Sequence, residues 1–407
     1  MNHTDPPILV LIAGSRWDDI RGTDHRLAES LARRASVLWV DPPVPLLGPA
    51  SSRRPGVVPG YELEEIRPGL RRLRVLAPPG FTRPVLRTIA AALAGSAMRR
   101  ALGPHRPTAM ILLSPRDKFP SRVPGTRVLH VTDDWIAGAT MMGLDQARVR
   151  RTLRANAARA DVITTVSPGL SDDLATLAGE TEVTLLPNGC TPCAGSVPLP
   201  ARRRVAGLVG QLNERLDVNL LEALVRTGID IEVVGPLRAR EPDCGRRLTT
   251  FLNSRGVTWL GELSEAGAAE RVASWSVGLT PYRQDRFNRA SFPLKTLDYL
   301  SAGVPVVSTD LPASRWLSSK WVHVAENQQD FIAAVTAALA NEWQAGDAAA
   351  RRAFAGRHTW DARAAHLLAI ASTTASSRSS RIIPVSRRLL RQDGQDTVRG
   401  SVPTSTR

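Results

Sequence analysis

The feature that most restricts this chain is a succession of short apolar runs that do not alternate with polar residues, each followed by a longer helical pattern. The runs are ILVLIAG (8–14), ASVLWVDPP (35–43), AMILLSP (109–115), TRVLHVTDD (126–134), ADVITTVSP (160–168) and VTLLPNG (183–189). A strand with one solvated face alternates, whereas a strand covered on both faces does not, and helices between such strands imply parallel pairing. The first half therefore reads as a doubly wound α/β domain. CTPCAGSVPLPARRR, rich in proline and small residues, reads as a linker.

A second series then begins: RVAGLVGQL (204–212), IDIEVVGP (229–236), GVTWLGEL (256–263), SVGLTPY (276–282) and VPVVSTD (304–310). Two Rossmann-like sheets of similar size place the ligand site in the cleft between them, at the carboxyl ends of the strands. The expected organisation is a first domain over 1–188, a linker over 189–203, a second domain over 204–355, a terminal helix over 356–371 with Trp360 near its start, and a basic disordered tail over 372–407.

A length of 407 residues suits two domains with separate cores. MNHTDPPILVLIAGS has no basic leader and only a short apolar run, which fits a buried strand and a cytoplasmic protein. The net charge of +15 fits nucleic acid, an anionic membrane face or acidic substrates. About five of those charges lie after Ser372, where seven Arg face two Asp. With no array of stacking aromatics, nucleic acid is not an expected partner. Lys118, Lys295 and Lys320 are the only lysines. Cys190 and Cys193 have redox-motif spacing but follow Pro187-Asn188-Gly189 in a loop, and with Cys244 they cannot furnish a four-ligand zinc site without histidines nearby; a structural or incidental role is expected.

The stretch SFPLKTLDYLSAGVPVVSTDLP (291–312) carries the clearest chemistry. Leucines at 294, 297 and 300, closed by Gly303 and Pro305, describe a short helix that puts Lys295 and Asp298 together on the opposite face. The segment Ser291-Phe292-Pro293-Leu294 opens that helix, where unpaired backbone N–H groups favour an anion such as a diphosphate. Lys295 adds a positive charge for the same phosphates, and Asp298 offers two acceptors to a ribose diol. Read from this helix alone, a surface ion pair is the equal alternative. Gly210 marks a strand-to-helix turn that admits a phosphate, Arg215 reaches the same cleft, and Gly235-Pro236 is a similar turn.

Taken in order, GLVGQLNERLDVNLLEAL, IEVVGP, VTWLGEL, VGLTPYRQDRFNRASFPLKTLDYLSAGVPVV and LLPNG resemble the GT-B fold glycosyltransferases of family 4, particularly a bacterial branch that makes surface polysaccharides, including teichuronic acid. The resemblance spans roughly residues 8–370 and is most specific over 204–312. It implies two Rossmann-like domains facing a central cleft and a nucleotide-diphosphate sugar as donor substrate, with no separate cofactor. By resemblance, Arg215 and Lys295 hold the diphosphate and Asp298 the ribose. Two positions depart from the pattern: Ala290 replaces the first of two glutamates eight apart, which usually contacts the sugar, and Gln211 replaces an arginine.

In the first domain, the loop Trp17-Asp-Asp-Ile-Arg-Gly22 follows the first strand at the cleft mouth; the resemblance implies acceptor or donor contacts for this loop and a small residue, Gly14, that lets the phosphates in. Asp133, and after it His130, are the candidate catalytic groups, placed to orient the acceptor hydroxyl or stabilise an oxocarbenium-like centre. The competing readings are a helix-capping carboxylate and a satisfied core histidine. Asn188-Gly189 resembles the family hinge, although from the residues alone it is an ordinary turn. FTRPVLRTIAAALAGSAMRRALGPHR (81–106) reads either as a helix packed on the sheet with a solvated Arg face or as a peripheral contact with an anionic membrane.

The leading expectation is therefore transfer of a sugar to a saccharide or lipid-linked acceptor. Retention is implied by the resemblance, and no metal is expected because no DxD sits in a strand-end loop. The alternatives are a nucleotide-sugar epimerase of the same fold and a basic binding protein without activity.

Overall fold

The computed structural model describes residues 6–45, 60–78, 83–192, 202–341 and 344–381. The first domain contains β1 (Ile8–Ile12), α1 (Thr23–Leu31), β2 (Ser36–Val40), β3 (Val44–Pro45), β4 (Tyr61–Arg67), β5 (Leu70–Ala77), α2 (Pro84–Leu102), β6 (Ala109–Leu112), β7 (Thr126–Val131), α3 (Gln146–Ala157), β8 (Val162–Thr165), α4 (Pro168–Ala178) and β9 (Val183–Leu185). The second contains β10 (Arg203–Val209), α5 (Val218–Arg226), β11 (Ile231–Val234), α6 (Pro242–Leu252), β12 (Val257–Trp259), α7 (Glu265–Ala273), β13 (Trp275–Thr280), α8 (Arg286–Ala290), α9 (Leu294–Ser301), β14 (Val306–Thr309), α10 (Pro312–Leu317), β15 (Val322–Ala325), α11 (Gln328–Ala340) and α12 (Ala345–Gly356). The helix α13 (Trp360–Arg381) follows.

The first sheet runs β3-β5-β2-β1-β6-β7-β8-β9, with β4 antiparallel on β5 and the other pairings parallel. The second runs β12-β11-β10-β13-β14-β15, all parallel. Counted from β10 this is the order 3-2-1-4-5-6, whose reversal between β10 and β13 opens a crevice at the carboxyl ends of those strands. The strands are filled from both sides, as the unbroken apolar runs require: Leu9, Val10, Leu11, Val128, Leu129, Val233, Val277 and Leu279 are all buried.

Four strands lie outside the unbroken apolar runs: β3, β4, β5 and β15. The β4–β5 hairpin is charge-rich, and its register sets Glu62 opposite Arg74 and Glu64 opposite Arg72. Arg72 is nonetheless fully buried, its Nε donating to Asp41 at 2.9 Å and its Nη2 to Asp18 at 2.7 Å. β3 and β15 are only two and four residues long.

The terminal helix starts at Trp360 and continues past 371 to Arg381, so the first part of the expected tail is helical; residues 382–407 lie outside the described residues. α13 returns to the first domain, where Ala364, Leu367 and Ala371 join Leu27, Leu31, Trp39 and Ile111 in one core. The two crossings between the domains run side by side: Cys190 N donates to His358 O and Trp360 N to Cys190 O. Cys190 is buried there, and burial pushes its thiol up to about 12, which gives it a structural place. Most of the linker, with Cys193, lies outside the described residues.

Candidate active site in the interdomain cleft

The second domain supplies a cationic floor. β10 is followed by Gly210 (φ +136°) and β11 by Gly235 (φ +137°), and the two turns are bound together by Gly210 N donating to Val234 O at 2.9 Å. Neither conformation suits a side chain. A Cβ at 210 would sit 2.9 Å from Lys295 Cε, and one at 235 would overlap the carbonyl oxygen of Gly210. Pro236 follows directly, and its carbonyl accepts from Leu212 N at 3.0 Å, which fixes the loop leading to Arg215.

Lys295 lies in the first turn of α9, behind Pro293 as N-cap. It is half-buried, and among the described residues it makes no hydrogen bond or ion pair within 4 Å, Asp298 included. The surface-pair reading of these two residues therefore does not hold. Burial pushes the Lys295 ammonium down, partly offset by Asp298, while Arg26 and Arg215 push the same way as burial. Burial likewise raises the Asp298 carboxyl against the pull of Lys295 and Arg26. Leu294 is half-buried, and Ser291, Phe292 and Pro293 are buried.

Arg215 is held by residues that local pattern could not reveal. Its guanidinium lies between the rings of Tyr282 and Phe287, 5.0 and 5.1 Å from their centroids. Its Nε donates to Asn288 Oδ1 at 3.0 Å, and Asn288 Nδ2 donates back to Arg215 O at 3.1 Å. No described residue bonds its two terminal nitrogens. The only sequence cue to Asn288 is its place in the loop DRFNRASF, before the helix already singled out.

The first domain faces this floor with Asp133, just beyond β7. Asp133 Oδ1 accepts from Ser291 Oγ at 2.7 Å. Burial raises its carboxyl, and Arg215 is the largest opposing influence. Asp134 works differently, capping the next turn by accepting from Ile136 N and Ala137 N at 3.0 and 2.9 Å, and pairing with Arg286 of the second domain at 2.8 Å.

His130 does not join this group. It is 2% exposed within β7 and its Nδ1 lies 2.8 Å from Thr164 Oγ1, while burial pulls its pKa down to about 4. It is a neutral core residue, because a strand covered on both faces has no solvent to hold a charged imidazole. Gly14 also differs from the reading that it admits phosphates. Its N–H donates to the buried Asp24 Oδ2 at 2.8 Å, and a Cβ would sit 2.8 Å from Leu113 O, so the Gly14 N–H is taken up by the chain's own carboxylate.

Two further contacts lock the domains together. Asn188 is more than an ordinary turn residue: its Nδ2 donates to Phe292 O at 3.1 Å, and its Oδ1 accepts from Thr23 Oγ1 at 3.1 Å. From α1, Arg26 extends toward Lys295 and Asp298 and lies 3.5 Å from Glu265 of the second domain. Ala290, where the resembling family has a glutamate, is buried, and its carbonyl accepts from Ser167. Among the described residues there is no group of three His, Cys, Asp or Glu placed to hold a metal ion.

Residues 213–369 match the model of a family described as glycosyl transferase-like. TuaH of Bacillus subtilis, described as a putative teichuronic acid biosynthesis glycosyltransferase, is 28% identical over 162 residues; the match spans 39% of this chain and 40% of that protein's own length. Among solved structures, sucrose-phosphate synthase from Thermosynechococcus elongatus superposes with a TM-score of 0.68 at 14% identity, covering 91% of this chain and all of that one. The E. coli trehalose-6-phosphate protein bound with UDP-2-fluoro glucose superposes with a TM-score of 0.64 at 11% identity, covering 90% of this chain and 99% of that one. The chain has the GT-B fold, with a glycosyl transferase-like segment from 213 to 369 that takes in nearly all of its second domain beyond β10.

Proposed function

We propose that the protein is a glycosyltransferase that moves a sugar from a nucleotide-diphosphate donor to a saccharide or lipid-linked acceptor, with retention and without a metal ion. The observation that carries this reading is the pair of cations Lys295, set against the Gly210 turn, and Arg215, held by Asn288 between two rings, with no carboxylate among the described residues bonded to either. A fold that half-buries an ammonium without a partner bears a desolvation cost that a diphosphate would offset.

In this reading the diphosphate lies against Gly210, Pro236 and the start of α9, with Asp298 on the ribose. As the bond from the anomeric carbon to the phosphate oxygen breaks, Lys295 and Arg215 take up the charge left on the diphosphate, which is the work a metal would otherwise do. Asp133, fixed by Ser291, orients the acceptor hydroxyl and stabilises positive charge at the anomeric carbon; as the acceptor oxygen bonds to that carbon, its proton passes to the departing diphosphate oxygen on the same face. Cleft closure through the Asp134–Arg286 and Asn188–Phe292 contacts excludes water. Ala290 leaves recognition of the sugar to other groups.

The acceptor side also fits a membrane face. α2 buries Ala90, Ala97, Met98, Ala101 and Leu102 but exposes Val85 (72%), Ile89 (43%) and Leu93 (42%) at intervals of four, on a helix that also exposes Arg99 and Arg100, with Arg83 exposed at its N-cap. An apolar stripe with arginines about it suits an anionic bilayer surface, and no described helix is long and apolar enough to cross one.

The test is thermal stabilisation of the purified chain by UDP-, GDP-, ADP- and dTDP-linked sugars, with a Lys295→Ala, Asp298→Ala variant alongside. A shift for one nucleotide class that vanishes in the variant is expected; no shift with any of them would remove the basis of the proposal. Flotation with phosphatidylglycerol vesicles, lost in Val85→Glu, Ile89→Glu, tests the membrane contact.

A further inference from the structure

Arg116 leaves the end of β6 at the cleft edge of the first sheet, and its Nη2 donates to Gly14 O, at the end of the neighbouring β1, at 3.2 Å. Two more arginines stand at helix starts of the same domain: Arg87 in the first turn of α2 and Arg148 in the first turn of α3. α2 and α3 each lead into a strand of the parallel sheet, so they run back against the strands and both first turns open on the same edge.

Arg148 feels the charge of both of the others. After burial, the charges of Arg87 and Arg116 pull the Arg148 guanidinium down, and Asp117 and Asp145 offset only part of this. Asp117 is already engaged, accepting from Ser114 Oγ at 2.6 Å. Among the described residues, neither Arg87 nor Arg148 has a hydrogen-bond or ion-pair partner for its guanidinium. Asn156, in the last turn of α3, accepts from Phe119 N at 3.2 Å and donates to Asp117 O at 2.8 Å, which ties the loop after Arg116 to the helix whose first turn carries Arg148. Because β6 and β7 are neighbours, Arg116 and Asp133 stand at adjacent strand ends.

We infer that Arg87, Arg116 and Arg148 form an anion subsite that takes a phosphate group of the acceptor, one strand away from Asp133. Forked guanidiniums suit phosphate oxygens, and the phosphate belongs either to a soluble sugar phosphate or to a lipid-linked one. Its assignment to the acceptor rests on the transferase reading; the anion subsite does not.

The test is calorimetric titration of inorganic phosphate into the full chain carrying Lys295→Ala and Asp298→Ala, which cripples the donor clamp. One phosphate per chain is expected, with binding weakened about tenfold or more when Arg87→Gln and Arg148→Gln are added. Arg148→Lys should recover part of the loss, which a fold defect would not allow. No phosphate binding in the Lys295→Ala, Asp298→Ala chain, or binding indifferent to the arginine changes, overturns the assignment. Glucose 6-phosphate and dihexanoylphosphatidic acid then separate the sources: tighter binding of one names the acceptor class, and binding of neither beyond inorganic phosphate removes the acceptor role. Failure of the transferase reading shows separately, as no nucleotide-sugar stabilisation of the unmodified chain.

Discussion

Ser291 Oγ donates to Asp133 Oδ1 at 2.7 Å, joining the entrance of α9 in the second domain to the end of β7 in the first. The same hydroxyl lies 2.9 Å from Phe287 O, so its one proton is shared between a carboxylate and a carbonyl. The contact brings the proposed catalytic carboxylate and the proposed phosphate floor to one point.

Replacing Asp133 by Asn should lower kcat by about 10²-fold or more, with donor affinity little changed, because the lost interaction acts on the acceptor and the developing charge. Ser291→Ala removes one hydrogen bond and should cost about tenfold in kcat. Steady-state kinetics with separately measured donor Kd checks both; equal loss in kcat for His130→Gln at a temperature where it is folded would contradict the placement.

Donor affinity should fall on the alkaline side at a pH below the ordinary lysine range. Burial holds the Lys295 ammonium down, and a diphosphate favours its protonated form, so binding is full below the pKa of the free protein and weakens as pH rises through it. Lys295→Arg should flatten this limb, since guanidinium stays protonated. Calorimetry across that range decides it.

His130 should make the fold acid-sensitive. Its pKa is about 4 when folded and about 6.5 when unfolded, so the unfolded chain binds the extra proton between those values. Stability contributed by the neutral imidazole is full above about 6.5 and is lost as pH falls toward about 4, a contribution of roughly 3 kcal/mol. Denaturant melts of His130→Gln should show lower stability at neutral pH and a shallower acid limb.

Asn288→Asp keeps the shape of the Arg215 holder but sets a carboxylate where Arg215 Nε now meets an amide oxygen at 3.0 Å. The new ion pair should neutralise Arg215 and weaken donor binding about tenfold, with some loss of thermal midpoint because the buried carboxylate also replaces the amide that donates to Arg215 O. Midpoint loss without a change in donor Kd would contradict the assigned role of Arg215.

Gly235→Ala should destabilise more than Gly210→Ala. At 235 the added Cβ meets the backbone carbonyl of Gly210, whereas at 210 it meets the movable end of Lys295. The strained φ alone costs each about 1 kcal/mol. Gly210→Ala should instead show its larger effect on donor affinity, by displacing the Lys295 side chain. Thermal melts and donor titrations of the two variants side by side check the order.

The amino-acid sequence alone determined the two doubly wound sheets, the strand-end turns at Gly210 and Gly235, and the helix that carries Lys295 and Asp298. These are short-range properties, set by unbroken apolar runs, by positive-φ glycines and by a helical repeat of leucines. Tertiary structure decided the rest. It placed Asp133 against Ser291 and Asn188 against Phe292, pairs 158 and 104 residues apart, and it folded α13 back onto the first domain. It also sent His130 into the core and closed Gly14 with Asp24, because burial and cross-domain contact depend on how whole sheets pack. The β4–β5 hairpin shows the same limit: its charged residues pair across the strands, and Arg72 is buried only because Asp18 and Asp41 arrive from other segments to meet it.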